Sequence, residues 1–298
     1  IFGTLGVDGA ANLFLINPNG IVFGENSAIN VNGSFLSTTA DEINFDNGEV
    51  FSAINPNLPT LTINLPIGLG FGNNPGDIEV NGVQNNVLVE VPSFKVVKEN
   101  YSSGLKVNSG NNISLIGGNI NFNGGGLQAP GGDIEVVSVG SNEIVNLLQD
   151  GDWFNVNLTN LSKFQDVRLD NAAYIDTSDE VSGNIILSGR NVVLDKGSVV
   201  LANTSSTSNN AIDVYATDLL DIKGSSGNNI INVSFNNSNT NFSSFQGKSN
   251  YYSVSLIGAD LLSSSTNQIS TGGNININAA KIRVLNAGEI RSVSFSNF

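Results

Sequence analysis

Along residues 111–136, NNISLIGGNINFNGGGLQAPGGDIEV, apolar or small side chains come in pairs two residues apart, and the pairs recur every seven residues: Ile113/Leu115, Ile120/Phe122, Leu127/Ala129 and Ile134/Val136. The beat returns at Ile185/Leu187, Val192/Leu194 and Val199/Leu201. It returns again at Ile275/Ile277 and Ile282/Val284 before slipping by one residue at Ile290. On an α-helix, positions two apart stand roughly 200° apart, so no helical face collects these pairs. On a strand they share a face, so each pair is a short strand with an inward side.

Seven is odd, so an unbroken strand would present the next pair to the opposite side. The chain must therefore turn between pairs, and Gly, Asn and Asp fill the gaps. Three strands and three corners make about 21 residues, in the range of solenoid repeats. The pattern predicts an all-β fold, a parallel β-helix with three short strands per coil. Corners such as GNNI (110–113), GGNI (117–120), GGDI (131–134) and SGNI (182–185) would stack, letting Asn side chains form hydrogen-bonded ladders. At about 4.8 Å per coil, roughly a dozen coils would make a rod on the order of 60 Å long. Leu187 is expected to face the interior and Ser188 the solvent.

The beat fades over residues 137–181, where EIVNLLQDGDWF (143–154) reads as a short helix or an inserted loop. The Ser/Asn-rich stretches 202–210 and 235–250 read as loops projecting from the coils.

Composition narrows the function. Asn is roughly one residue in six and Gly numbers 33, both suited to many corners. Twelve basic against 26 acidic residues give a net charge of −14, which repels nucleic acid. Cys and His are absent, which removes disulfides, thiolate and imidazole metal ligands, and the nucleophile–His arrangements of hydrolases. No apolar run is long enough for a transmembrane helix. Without Met, a signal peptide or a capped start, the chain reads as an internal piece of a longer protein. No cofactor is expected.

The apolar run LFLINPNGIVFG (13–24) frames Asn17-Pro18-Asn19-Gly20, and a second Asn-Pro-Asn follows at Asn55, Pro56 and Asn57, before Leu58. Residues 12–45, INPNLPTLTINLPIGLGFG (54–72) and the 105–136 segment together resemble the haemagglutination-activity (two-partner secretion) domain of filamentous-haemagglutinin-type exoproteins, in the style of the cyanobacterial branch. The resemblance covers about residues 1–140, without the family's N-terminal portion, and leaves 141–298 as continuing β-helical repeats with inserted loops. It implies a right-handed parallel β-helix with some extra-helical β-structure. It also implies secretion across the outer membrane by a partner β-barrel transporter whose periplasmic POTRA domains recognise the domain. The family's turn motifs fall on Asn17, Pro18, Asn19, Gly20 and Ile21, and on Asn55, Pro56, Asn57 and Leu58. These residues either shape corners only or are also read directly by the transporter.

Three functions follow. A secreted or outer-membrane-surface adhesin would present its rod, a monomer, to a surface glycan or cell-surface receptor. A β-helical polysaccharide lyase or glycosidase would need a carboxylate groove. Its candidates are Asp170, Asp176 and Asp179 with Arg168, or Asp213, Asp218 and Asp221 with Lys223. The third is the secretion stem of a larger contact-dependent toxin. The missing His and the scattered acids favour a non-catalytic protein.

Overall fold

A computed structural model describes residues 1–55, 66–84, 87–89, 96–98, 101, 103–206, 210–224, 255–260, 273–286 and 288–292. Among these the chain is all β, and its strands wind into a parallel β-helix with three faces. The first face stacks Leu13–Ile16, Phe35–Thr38, Ile113–Gly117, Ile134–Ser138 and the opening halves of Ile185–Leu194, Ala211–Lys223 and Asn274–Leu285. The second face stacks Ile21–Phe23, Ile78–Asn81, Ile120–Asn123 and Val167–Asp170, then the closing halves of those same three long strands. The third runs Leu105–Lys106, Gly126–Gln128, Tyr174–Asp176, Val199–Leu201, Ser255–Gly258 and Gly288–Arg291, with Thr4–Gly6 and Ala28–Asn30 paired separately.

Inward positions form columns. Leu13, Phe35, Ile113, Ile134, Ile185, Ile212 and Ile275 lie in one register, and most are fully buried in a single aliphatic core. The four pairs of residues 111–136 all point into it, as do Ile185/Leu187 and Val192/Leu194. Each side chain of this size contributes about 1.5–3 kcal/mol when removed from water.

The third face departs from the expected phase. Val200, not Val199 or Leu201, enters the core, in register with Ile175 and Ile257. Val199 and Leu201 join Tyr174 and Leu256 in a separate buried cluster. The cause is the corner. Six positions separate Leu194 from Val200, but five separate Phe122 from Leu127, and one extra residue exchanges the two sides of the next strand.

The described strands make seven coils on the first face rather than a dozen, a stack on the order of 30 Å at the usual strand spacing. Insertions account for the difference. Only Ile113 and Ile134 are separated by 21 residues, whereas Phe35 pairs with Ile113 and Ile134 with Ile185.

Two of these insertions build a five-stranded antiparallel sheet, ordered Trp153–Asn157, Ile144–Asp150, Pro66–Gly70, Glu42–Phe45 and Val50–Ser52. Residues 143–154 are thus neither helix nor irregular loop. Val145 and Leu147 alternate with exposed Ile144 and Leu148, a two-residue period, and Gly151 turns the hairpin at φ 58°.

This sheet covers the outer side of the first face. Ile43, Leu69, Val145, Leu147 and Val156 pack with Leu36, Ile116 and Val137 from the helix. The Phe14 ring meets Trp153 at 5.6 Å and Phe154 at 6.1 Å. Ser188, expected at solvent, is fully buried although it alternates with core-facing Leu187 and so points away from the helical interior.

Candidate functional site

The Asn17–Gly20 segment is the corner between the first and second faces of the coil formed by Leu13–Ile16 and Ile21–Phe23. Asn17 holds it from both directions. Its Nδ2 donates to the Gly20 carbonyl at 2.9 Å, and its Oδ1 accepts the Asn19 N–H at 3.2 Å. The Gly20 N–H closes the turn on the Asn17 carbonyl, and Gly20 adopts φ 105°, which favours a residue without Cβ. Pro18 fixes the first central φ. Ile21 then enters the core at 5% exposure.

The corner rests on glycine. A Cβ at Gly76 would come within 2.5 Å of the Gly20 nitrogen and the Pro18 carbonyl oxygen, and one at Gly118 within 2.5 Å of the Pro75 oxygen. Corners 17–20, 75–77 and 117–119 therefore pack backbone on backbone. The extra-helical sheet leaves the rod from this same stack, after Thr38, and returns before Pro75.

A ladder of side chains binds the stack. Asp77 Oδ1 accepts both the backbone and Nδ2 hydrogens of Asn119; Asn119 Oδ1 accepts the Asp166 N–H; Asp166 Oδ1 accepts both from Asn191. A second ladder climbs the corner before the first face, through Asn12, Ser34, Asn112, Asp133 and Asn184 to the Ala211 N–H. The Asn ladders expected from the GNNI-type corners are present, with Asp and Ser serving as rungs.

Among the turn residues, Asn17 and Asn19 are exposed. The Asn19 side chain has no hydrogen-bond partner among the described residues, in contrast to that of Asn17. In the second motif, Asn55 is exposed and its N–H donates to Ser52 Oγ at 3.1 Å; Pro56, Asn57 and Leu58 lie outside the described residues.

The acidic candidates do not converge on one groove. Asp170 pairs with Arg168 at 2.9 Å and Lys196 at 3.1 Å, and hydrogen bonds from these cations outweigh burial to hold its carboxyl below the usual range. Asp221 is held low chiefly by its hydrogen bonds to Arg283, with Lys223 adding to them. Asp176 is buried and accepts the Tyr101 hydroxyl at 2.7 Å; Asp179 accepts Ser109 Oγ. Asp213 accepts Asn276 Nδ2, and Asp218 lies 3.7 Å from Lys281. No group of three potential metal-ligating side chains occurs among the described residues.

One ionisable residue escaped the sequence reading. Glu135 sits at 3% exposure between the first face and the extra-helical sheet, accepting Ser114 Oγ at 2.8 Å and the Val156 N–H at 2.7 Å. Burial raises its pKa to about 7 against the lowering effect of those two bonds. Alternation within DIEVVS marks it as outward, but nothing local reveals that a remote hairpin closes over it.

Residues 1–190, which include the glycine-floored Asn-Pro-Asn-Gly corner and the extra-helical sheet, match the TPS secretion domain family. The chain belongs to that family. It is thus a secreted exoprotein of the two-partner type, served by a partner transporter. No helix among the described residues is long and apolar enough to cross a membrane. No curated protein and no solved structure matches this TPS-domain chain.

Proposed function

We propose that the chain is the exported portion of a filamentous-haemagglutinin-like adhesin or structural surface protein. A β-barrel with POTRA domains carries it across the outer membrane, and the rod, a monomer, then stands at the cell surface and presents its lateral faces to a glycan or receptor. The observation that carries the export half is the Asn17–Gly20 corner, in which one residue serves structure and its neighbour is left bare. Asn17 spends both ends of its amide on the turn, whereas the exposed Asn19 side chain has no partner among the described residues.

The protein does no catalysis in this reading. Its candidate acids are engaged by cations, amides or hydroxyls, and His and Cys are missing.

The two Asn residues supply the test. Asn17→Ala should lower both secretion and the protease resistance of the purified domain. Asn19→Ala should leave protease resistance intact while secretion falls and the chain is retained or degraded in the periplasm. Normal levels of the Asn19→Ala protein in the medium would restrict the motif to shaping a corner.

A further inference from the structure

The outer side of the third face carries an arrangement that neither export nor the acidic candidates use. Tyr174 points outward from its strand, and its register partner on the coil before is Gly126. A Cβ at Gly126 would come within 2.6 Å of the Tyr174 ring, and one at Gly104, which adopts φ 115°, would meet the Tyr174 hydroxyl. Two glycines thus leave the bed in which this ring lies, at 2% exposure. Tyr101, from the chain leading into Leu105–Lys106, lays its ring on Tyr174 with centroids 3.6 Å apart and planes 3° from parallel.

Face-to-face stacking is the less favoured arrangement of two neutral rings, because their like quadrupoles oppose. It becomes favourable once one ring loses an electron, since both π-systems then share the hole. The hydroxyls are set for that loss. Tyr101 donates to Asp176 Oδ2 at 2.7 Å, and Tyr174 donates to the Ser103 carbonyl. Burial, and then the Asp176 charge, push both phenols above the usual tyrosine range, so neither ionises at neutral pH. Oxidation of Tyr101 must therefore shed a proton with the electron, and Asp176 is the base already in place to take it.

We propose that Tyr101 and Tyr174 form an oxidative cross-linking site, at which a peroxidase-type oxidant consuming hydrogen peroxide joins the two rings as a dityrosine. Tyr101, the half-buried member, loses the first electron and passes its proton to Asp176. Tyr174 loses the second electron, and its proton leaves to water. The two phenoxyl radicals couple through ring carbons ortho to oxygen, in a stack close to the separation of about 3–3.5 Å at which positioned groups react. The ortho hydrogens then depart as protons while both oxygens are reprotonated. In balance, one C–C bond forms, two aryl C–H bonds break, and hydrogen peroxide takes two electrons and two protons to become two water molecules. A chain without Cys has no disulfide to fix its coils. This bond supplies a covalent staple instead, and only after folding has brought together two residues distant in sequence. It closes a long loop of the unfolded chain and so favours the folded one.

The test treats the purified full chain, kept dilute, with a plant peroxidase and hydrogen peroxide. The expected product is a monomer lighter by two hydrogen atoms, with the blue fluorescence of dityrosine and a higher thermal midpoint than the untreated protein. Proteolysis should release one pair of fragments joined through Tyr101 and Tyr174. Tyr101→Phe and Tyr174→Phe should each abolish this product, whereas Tyr215→Phe, which alters the ring packed on Phe164, should leave it. Asp176→Asn keeps an acceptor oxygen but no base, and should slow the cross-link by about tenfold or more. Wild-type protein that stays folded by circular dichroism and yields no such product would overturn the proposal. So would fragments joined through Tyr215, Tyr251 or Tyr252, or a product found only as covalent dimers of the chain. Cross-linking of Asp176→Asn at the wild-type rate would remove Asp176 as the proton acceptor.

Discussion

The Glu135 carboxylate on the first face accepts the backbone N–H of Val156, on the edge strand of the extra-helical sheet, at 2.7 Å. This bond fastens the hairpin to the rod, yet it buries an ionisable group. The lift from 4.5 to about 7 corresponds to a penalty on the order of 3 kcal/mol for the ionised form, at about 1.36 kcal/mol per unit.

The folded protein therefore binds this proton more tightly than the unfolded chain does. Stability is fully present below about pH 4.5 and lost as pH rises through about 7. Glu135→Gln keeps an acceptor for Val156 and offers a donor to Ser114 Oγ. Its melting temperature should be nearly flat between pH 5 and 8, and higher than wild type at pH 8. Parallel pH profiles for the two proteins would show that Glu135 does not govern this window.

The parts of the fold that were legible in the sequence are those that repeat at short range. Ile113/Leu115 and Ile134/Val136 announce the interior because each coil imposes the same requirement at the same spacing. The Asn and Asp of the GNNI, GGDI and SGNI corners announce the ladder for the same reason. Val199 and Leu201 misled because a single added corner residue reverses the sides of a strand. Ser188 was expected at solvent and Glu135 was not singled out: both are buried on the outer side of the first face, and no local period encodes the remote hairpin whose Val156 N–H Glu135 accepts. At the candidate site, Asn-Pro-Asn-Gly declared a turn through its residue types. Its seat on Gly76 was not readable, because the two segments lie about 55 residues apart in the chain and no local pattern links them.

The ladder at the corner between the first and second faces alternates Asp77, Asn119, Asp166 and Asn191, so no two carboxylates are neighbours. Asn119→Asp would break that alternation. It removes the Nδ2 donor to Asp77 and sets three carboxylates in succession. A loss of roughly 2 kcal/mol at pH 7 is expected, from a hydrogen bond to a charged acceptor plus like-charge repulsion. The loss should shrink towards pH 4 as the new carboxyl takes up a proton. Urea unfolding of both proteins at the two pH values checks it, and an equal loss at each would remove the electrostatic part of the argument.

Asn171 and Ala172 both adopt φ 56°, and the Ala173 N–H closes their turn on the Asp170 carbonyl. Asn tolerates this region; Ala, with its Cβ against the following carbonyl, is strained there by about 1–2 kcal/mol. Ala172→Gly should relieve that strain, less the extra backbone entropy of glycine, and raise stability by roughly 0.5–1 kcal/mol. The thermal midpoint measures it. A lower midpoint would mean that the Ala172 methyl contributes more through packing than it costs in backbone conformation.

Ser37 stands in the inward column between Leu15 and Leu115, fully buried, and its hydroxyl has no hydrogen-bond partner among the described residues. An unpaired buried hydroxyl costs about 1–3 kcal/mol, so Ser37→Ala should stabilise the protein by roughly 1 kcal/mol despite the lost contacts. Ser114, on the next strand of the same face, is its counterpart. It is equally buried, but its hydroxyl donates to Glu135 Oε2 at 2.8 Å. Ser114→Ala should therefore destabilise by about 1–3 kcal/mol, because it leaves a buried carboxylate with one bond fewer. Two identical substitutions on adjacent strands should thus move the urea midpoint in opposite directions. Destabilisation by both would show that Ser37 contributes through packing or an unseen partner, and that its place in the aliphatic column carries no polar penalty.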